Sequence, residues 1–198
     1  VNQFDDIYNP IPTYGETETY QWDDMEATID ADNSGGRYQY GEVQEAGENG
    51  QTGQQVGFAP SPEPYYLVYR IEGATWMNVP PYTEYWATVT TEATGTRIKH
   101  EFGMILWDFL HASGPDQSIA HDLEEGDTIG FTHYFDDYDE DPSALSGQWK
   151  THERPDVPHN ADGCPDVHLL GSSAWDETML PTAVSAAAWG SVKATFAR

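Results

Sequence analysis

The chain has 198 residues, 34 of them acidic and 8 basic, with a formal net charge of −26 at pH 7. That balance excludes a direct nucleic-acid partner, which needs a basic footprint to displace counterions from phosphate. The one cysteine, Cys164, excludes an intrachain disulfide and the disulfide-rich secreted class. No apolar run approaches the ~20 residues that cross a bilayer as a helix.

The length suits one domain. Seven Trp, twelve Tyr and seven Phe supply a large apolar payload, so the acidity does not imply disorder. Residues 1–16 carry Pro10, Pro12 and Gly15 among Phe4, Ile7, Tyr8 and Tyr14. This reads as an extended N-terminal arm with apolar anchors, neither strand nor helix. Its opening, V-N-Q-F-D-D, lacks the pattern of a signal peptide. Residues 17–198 read as a single β domain.

Thr17 to Asp30 reads as a long first strand. Tyr20 and Trp22 share one phase and Met25, Ala27 and Ile29 the other, which predicts a bulge at Asp23-Asp24. Asn33 to Gly36 is a turn, and Arg37 to Val43 a second strand. Glu45 to Gly57, rich in Gly, Gln and Glu, reads as a surface loop. After Pro60, Pro62 and Pro64, Tyr65 to Glu72 is a strand with Tyr65, Leu67, Tyr69 and Ile71 inward.

Beyond the break at Pro80-Pro81, Tyr85 to Thr91 is a strand rich in aromatic and β-branched residues. The short link Ala93-Thr94-Gly95 predicts a hairpin with the longest run of the chain, Thr96 to Trp107. There Ile98, His100, Phe102, Met104 and Leu106 fall on one face, and Arg97, Lys99 and Glu101 on the other. At Ile105 and Trp107 both faces turn apolar, as in a strand buried on both sides. Short helical turns are expected within 107–112 and 118–123. Thr128 to Phe135 is a strong strand. Pro142 to Asp166 reads as an excursion loop, Val167 to Leu170 as a short strand, and Ser185 to Phe196 as a last strand with a small-residue face. These are about eight strands without crossover helices. They predict an all-β fold, an antiparallel β-sandwich or jelly roll with long loops.

Four constellations bear on chemistry. His100 and His133 each sit on the apolar face of a strand, where they serve as core residues or as a metal pair on adjacent strands. His152, His159, Cys164 and His168 crowd one loop region without a zinc spacing, and Cys164 reads as an inert thiol. The run Asp136 to Asp141 offers alternating carboxylates, so Asp137, Asp139 and Asp141 are candidate ligands of a hard cation such as Ca, Mg or Na. It lacks the Gly and distal Glu of an EF-hand loop. Trp76, Tyr82, Tyr85 and Trp86 flank Pro80-Pro81 and suit a sugar platform, a subunit contact or simple core filling. No nucleophile elbow or other catalytic motif is present, so no enzyme activity and no organic cofactor are expected.

Two resemblances go beyond these residues. The spread acidity is similar to that of proteins from extremely halophilic archaea. With the length, the strand count and the arm, the chain resembles a single jelly-roll major capsid protein of a tailless icosahedral virus of such hosts. That implies a structural subunit in a virion, with other capsid subunits as homo- or hetero-oligomeric partners. Separately, Gly126-Asp127-Thr128-Ile129-Gly130, then Asp136-Asp137-Tyr138-Asp139, then Trp189-Gly190-Ser191-Val192-Lys193-Ala194 are similar to pieces of extracellular β-sandwich modules that bind carbohydrate or haem. That implies a ligand-binding module, extracellular or on the cell surface of a halophilic archaeon.

Overall fold

The alternation around His100 becomes β6 (Gly95–Met104), antiparallel to β5 (Thr83–Glu92) with Glu92 opposite Gly95 and Thr83 opposite Met104. The predicted hairpin is thus present, closed by Ala93 and Thr94. The structure is a computed structural model, and the residues it describes are 1–13, 19–36, 53–60, 63–69, 74–139, 144–151 and 161–170. The expected strands at 37–43 and 185–196 lie outside these.

The other free edge of β6 is taken by β1 (Asn2–Asp5), antiparallel, with Gln3 opposite Ile98. The arm is therefore a strand at its start, contrary to the sequence expectation. Its backbone groups needed partners, and β6 had an unpaired edge to offer. The Val1 carbonyl accepts from the His100 amide at 2.9 Å, extending the ladder.

The second sheet is larger. Its order is β10 (Gly147–Lys150), β9 (Thr128–Asp137), β2 (Asp24–Asp30), β3 (Gln54–Ala59) and β4 (Tyr65–Tyr69), and β11 (Asp166–His168) shares the outer edge of β9 with β10. All of these pairings are antiparallel. Two of the strands were unexpected. β3 lies in a stretch whose Gln and Gly content reads as loop. Yet it is central and wholly buried, and the amide nitrogens of Gln54 and Gln55 find the Trp107 carbonyl and Glu26 Oε2. β10 lies in the expected excursion loop and is recruited by the edge of β9.

Met25, Ala27, Ile29, Val56 and Phe58 from the large sheet pack on Tyr85, with Ala87, Phe102, Met104, Phe131 and Phe135 around them. Phe58 and Phe102 have ring centroids 4.5 Å apart. Each fully buried Met, Ile, Val or Phe among them contributes about 1.5–3 kcal/mol through lost apolar hydration. The architecture is the expected all-β antiparallel β-sandwich.

Three boundaries differ from expectation. β2 begins at Asp24, because Thr19–Gln21 forms a 3-10 turn; the phase slip marks a change of element, not a bulge. The run to Trp107 breaks after Met104, and β7 (Trp107–Phe109) pairs with β8 (Ile119–Ala120). Strand pairing thus replaces the helical turn expected after Trp107, and Pro115–Gln117 forms a 3-10 turn instead of a helix at 118–123. These apolar stretches are too short to repay helix nucleation. No α-helix occurs among the described residues, and none of their helices is long and apolar enough to cross a membrane.

Candidate functional site

The acidic run is divided by the alternation of β9. Successive residues on a strand point to opposite faces, so Asp136 and Asp137 serve different surroundings. One oxygen each of Asp5, Asp23 and Asp137 lie within 4.8 Å of one another, and the same holds for Asp5, Asp6 and Asp139. The predicted ligands Asp137 and Asp139 therefore fall in two clusters that share Asp5, and Asp141 lies outside the described residues. Asp5 and Asp23 are the residues the sequence reading missed. They reach Asp137 only because β1 and the start of β2 converge there.

Most oxygens of the first cluster are engaged by the chain itself. Asp5 Oδ1 accepts from the Ile7 amide at 3.0 Å. Asp23 Oδ1 accepts from the Tyr138 amide at 2.6 Å, and its Oδ2 from the Asn9 amide. Asp137 Oδ2 accepts from the Trp149 indole at 3.1 Å. Burial, and then the Asp137 charge, raise the Asp5 carboxyl to about 6; burial raises Asp23 to about 7 against the pull of its two amide donors. Asp23 thereby fastens the segment after β1 to the end of β9. Its main work is structural.

A third cluster, Asp24, Glu26 and Asp136, lies on the other face of the large sheet and is completely buried. A signal for it was present in the sequence. Asp24, Glu26, Thr28 and Asp30 alternate with Met25, Ala27 and Ile29, so β2 carries one polar and one apolar face, both inside.

The histidines separate. His100 is on β6 and His133 on β9, in different sheets, so they are not a ligand pair on adjacent strands. Both ring nitrogens of His100 are engaged, Nδ1 with the Tyr85 hydroxyl at 2.8 Å and Nε2 with Gln3 Oε1 at 3.1 Å. Burial holds its pKa down to about 3. It is a core histidine. Cys164 is buried with Sγ 3.9 Å from the Thr28 carbonyl, while His168 is exposed and pairs with Thr128. His152 and His159 lie outside the described residues.

The aromatics beside Pro80-Pro81 also divide. Trp76 and Tyr82 pack edge-on at 4.8 Å, and Trp76 meets Trp107 edge-on at 5.3 Å. With Met77 and Leu110 they build a second core that covers Trp107, whose indole donates to Met77 Sδ at 3.1 Å. Tyr85 belongs to the main core. Trp86 points outward and is 48 % exposed.

The most exposed described indole is Trp149 on β10, at 67 %. Its ring is not free to swing. The bond to Asp137 holds its nitrogen, and Gly147 lies beside it, where an added Cβ would stand in ordinary contact with the indole. Asp137 Oδ1 makes no hydrogen bond and is closed off from solvent, so it is not open to a ligand. The arrangement is an exposed aromatic face whose nitrogen is tied to a carboxylate, and it can stack on an apolar ring face.

No family model and no curated protein matches this chain. Among solved structures it is similar to a family 9 carbohydrate-binding module from Caldicellulosiruptor kristjanssonii in complex with glucose. That match has a TM-score of 0.50 and 13% identity, over 89% of this chain and 78% of that one. A module of that family from the same organism, in complex with cellotriose, gives 0.48 and 12% over 93% and 80%. The likeness to the glucose complex agrees with the β-sandwich described above.

Proposed function

We propose that this chain is a non-catalytic carbohydrate-binding β-sandwich with Trp149 as its stacking surface. The observation that carries the reading is the held, exposed Trp149 indole beside Asp137. A sugar ring presents C–H groups on one face, which suits an exposed aromatic plane. The fold gives support, since a glucose-bound module shares it. The expectation of a self-assembling capsid subunit lacks a comparable observation.

Calorimetric titration with glucose and neutral gluco-oligosaccharides tests the proposal. Saturable binding is expected. Trp149→Ala should weaken it at least about tenfold, as loss of a stacked ring plus its packing implies, while Trp86→Ala should retain it. Absence of binding across the panel, or unchanged binding by Trp149→Ala, would overturn the reading. Sedimentation at molar salt separates it from self-assembly: a capsid subunit should associate through contacts well above ~1,000 Å².

A further inference from the structure

Asp24 and Asp136 stand directly opposite each other on β2 and β9, and Glu26 follows Asp24 on the same face. Like charges opposed across a ladder repel, and these have no water to screen them: Asp24 is 0 % exposed, Glu26 2 % and Asp136 3 %. Donors reach two of the three. Glu26 Oε2 accepts from Gln55 Nε2 at 2.6 Å and from the Tyr134 hydroxyl, and Asp136 Oδ1 accepts from Gln148 Nε2 at 2.7 Å. Neither oxygen of Asp24 makes a hydrogen bond, and Gln55 Oε1, on the amide that serves Glu26, also lacks one. The Thr19 side chain is near enough to favour ionised Asp24 but does not offset its burial. A buried carboxylate left this way is strongly unfavourable, and unmatched buried acceptors call for something positive among them.

We propose that Asp24, Glu26 and Asp136 form an internal calcium site, with Gln55 Oε1 as a further oxygen ligand. Each carboxylate offers an oxygen within 4.8 Å of the others, which is the spread of ligands about 2.4 Å from a central ion. The donors are all oxygen, which selects a hard cation over a transition metal. The cluster is dry, which disfavours magnesium, an ion that keeps several of its waters. Charge also balances. Lys150 acts on Asp136, and three carboxylates, one ammonium and one divalent ion sum to zero. The ion would lie between two central strands, on the face turned away from the Asp137–Trp149 rim. It would hold the sheet together rather than contact ligand, and the inference does not depend on the sugar reading.

The test uses the full chain stripped with a chelator and exchanged into buffer near pH 8 at about 0.15 M NaCl. Saturating calcium should raise Tm by roughly 5–10 °C. Asp24→Asn should lose most of that rise, and Asp137→Asn, altered only in the rim cluster, should keep it. A wild-type Tm unmoved by calcium, an equal rise with magnesium, or an undiminished rise in Asp24→Asn would each overturn the assignment. If Asp24→Asn does not fold, the calcium content of wild type and Glu26→Gln after gel filtration decides. About one ion per wild-type chain and a content at least about tenfold lower in Glu26→Gln support the site. Equal contents, or a wild-type content near zero, overturn it.

Discussion

Gly95 lies against the backbone of Asp5. A Cβ at Gly95 would overlap the Asp5 carbonyl oxygen and stand 2.9 Å from the Asp6 Cα, and Gly95 itself has φ near +152°. Only glycine lets the turn after β5 and the strand β1 occupy the same corner. Gly95→Ala should therefore destabilise the protein by about 1–3 kcal/mol in urea unfolding. The amides of residues 2–5 should lose hydrogen-exchange protection first. Gly103→Ala, with nothing within 4 Å of the added carbon, should stay within about 0.5 kcal/mol of wild type. Equal effects at the two positions would refute the steric account.

His100 gives a pH dependence of defined sign. Its folded pKa is depressed to about 3 by burial, then by the amino terminus and His133. An unfolded histidine takes a proton near 6.5. Between these values the unfolded state binds the extra proton, so this contribution to stability falls as pH drops below 6.5 and stops falling near 3. Raised carboxylates such as Asp23 work in the opposite sense, so the difference between wild type and His100→Gln is the quantity to follow. The stability advantage of wild type should shrink by about 2 kcal/mol between pH 7.5 and pH 5. A difference independent of pH would show that His100 is not held neutral.

The charge of −26 predicts a response to salt. Raising salt from about 0.1 M to about 1 M shortens the Debye length from ~10 Å to ~3 Å and screens most of the self-repulsion. With sodium chloride as the only variable, Tm should climb steadily over that range and fall below about 0.1 M. A flat profile would mean that the acidic surface carries no stability cost.

Phe58 is fully buried between Tyr85 and Phe102 at the meeting of the two sheets. Phe58→Ala should cost about 3–5 kcal/mol, through lost burial and a cavity that flanking strands cannot fill. Thermal unfolding followed by near-UV circular dichroism checks this. A loss under about 1 kcal/mol would mean that the sheets do not meet at Phe58.

The elements legible in the sequence are those whose burial is one-sided. β6 and β9 alternate, and β5 shows itself by its aromatic and β-branched residues, although the β6 pattern runs three residues past the true end at Met104. β3 was not legible, because a strand buried on both faces loses its alternation and its glutamines imitate a loop. β1 and β10 were missed because four residues carry too little pattern, and their partners lie far along the chain. The same reasoning applies to the sites. Asp137 stood out in its acidic run, but Asp5 and Asp23 join it only through tertiary contacts. The alternating acids of β2 were visible beside Met25, Ala27 and Ile29. Their meaning depended on burial of both faces, which appears only once β3 and β9 flank the strand.

The pairing of β1 with β6 joins backbone groups as much as 99 residues apart, from Val1 to His100. Contacts of that span close slowly, because the loop entropy is lost before the contact is gained. A four-residue edge strand also has few bonds to hold it. The sandwich should therefore assemble first and this strand dock afterwards, opening and reclosing many times for each global unfolding. During each opening Nε2 of His100 loses Gln3. The first strand should thus behave as a latch whose opening exposes the His100 end of the core to water.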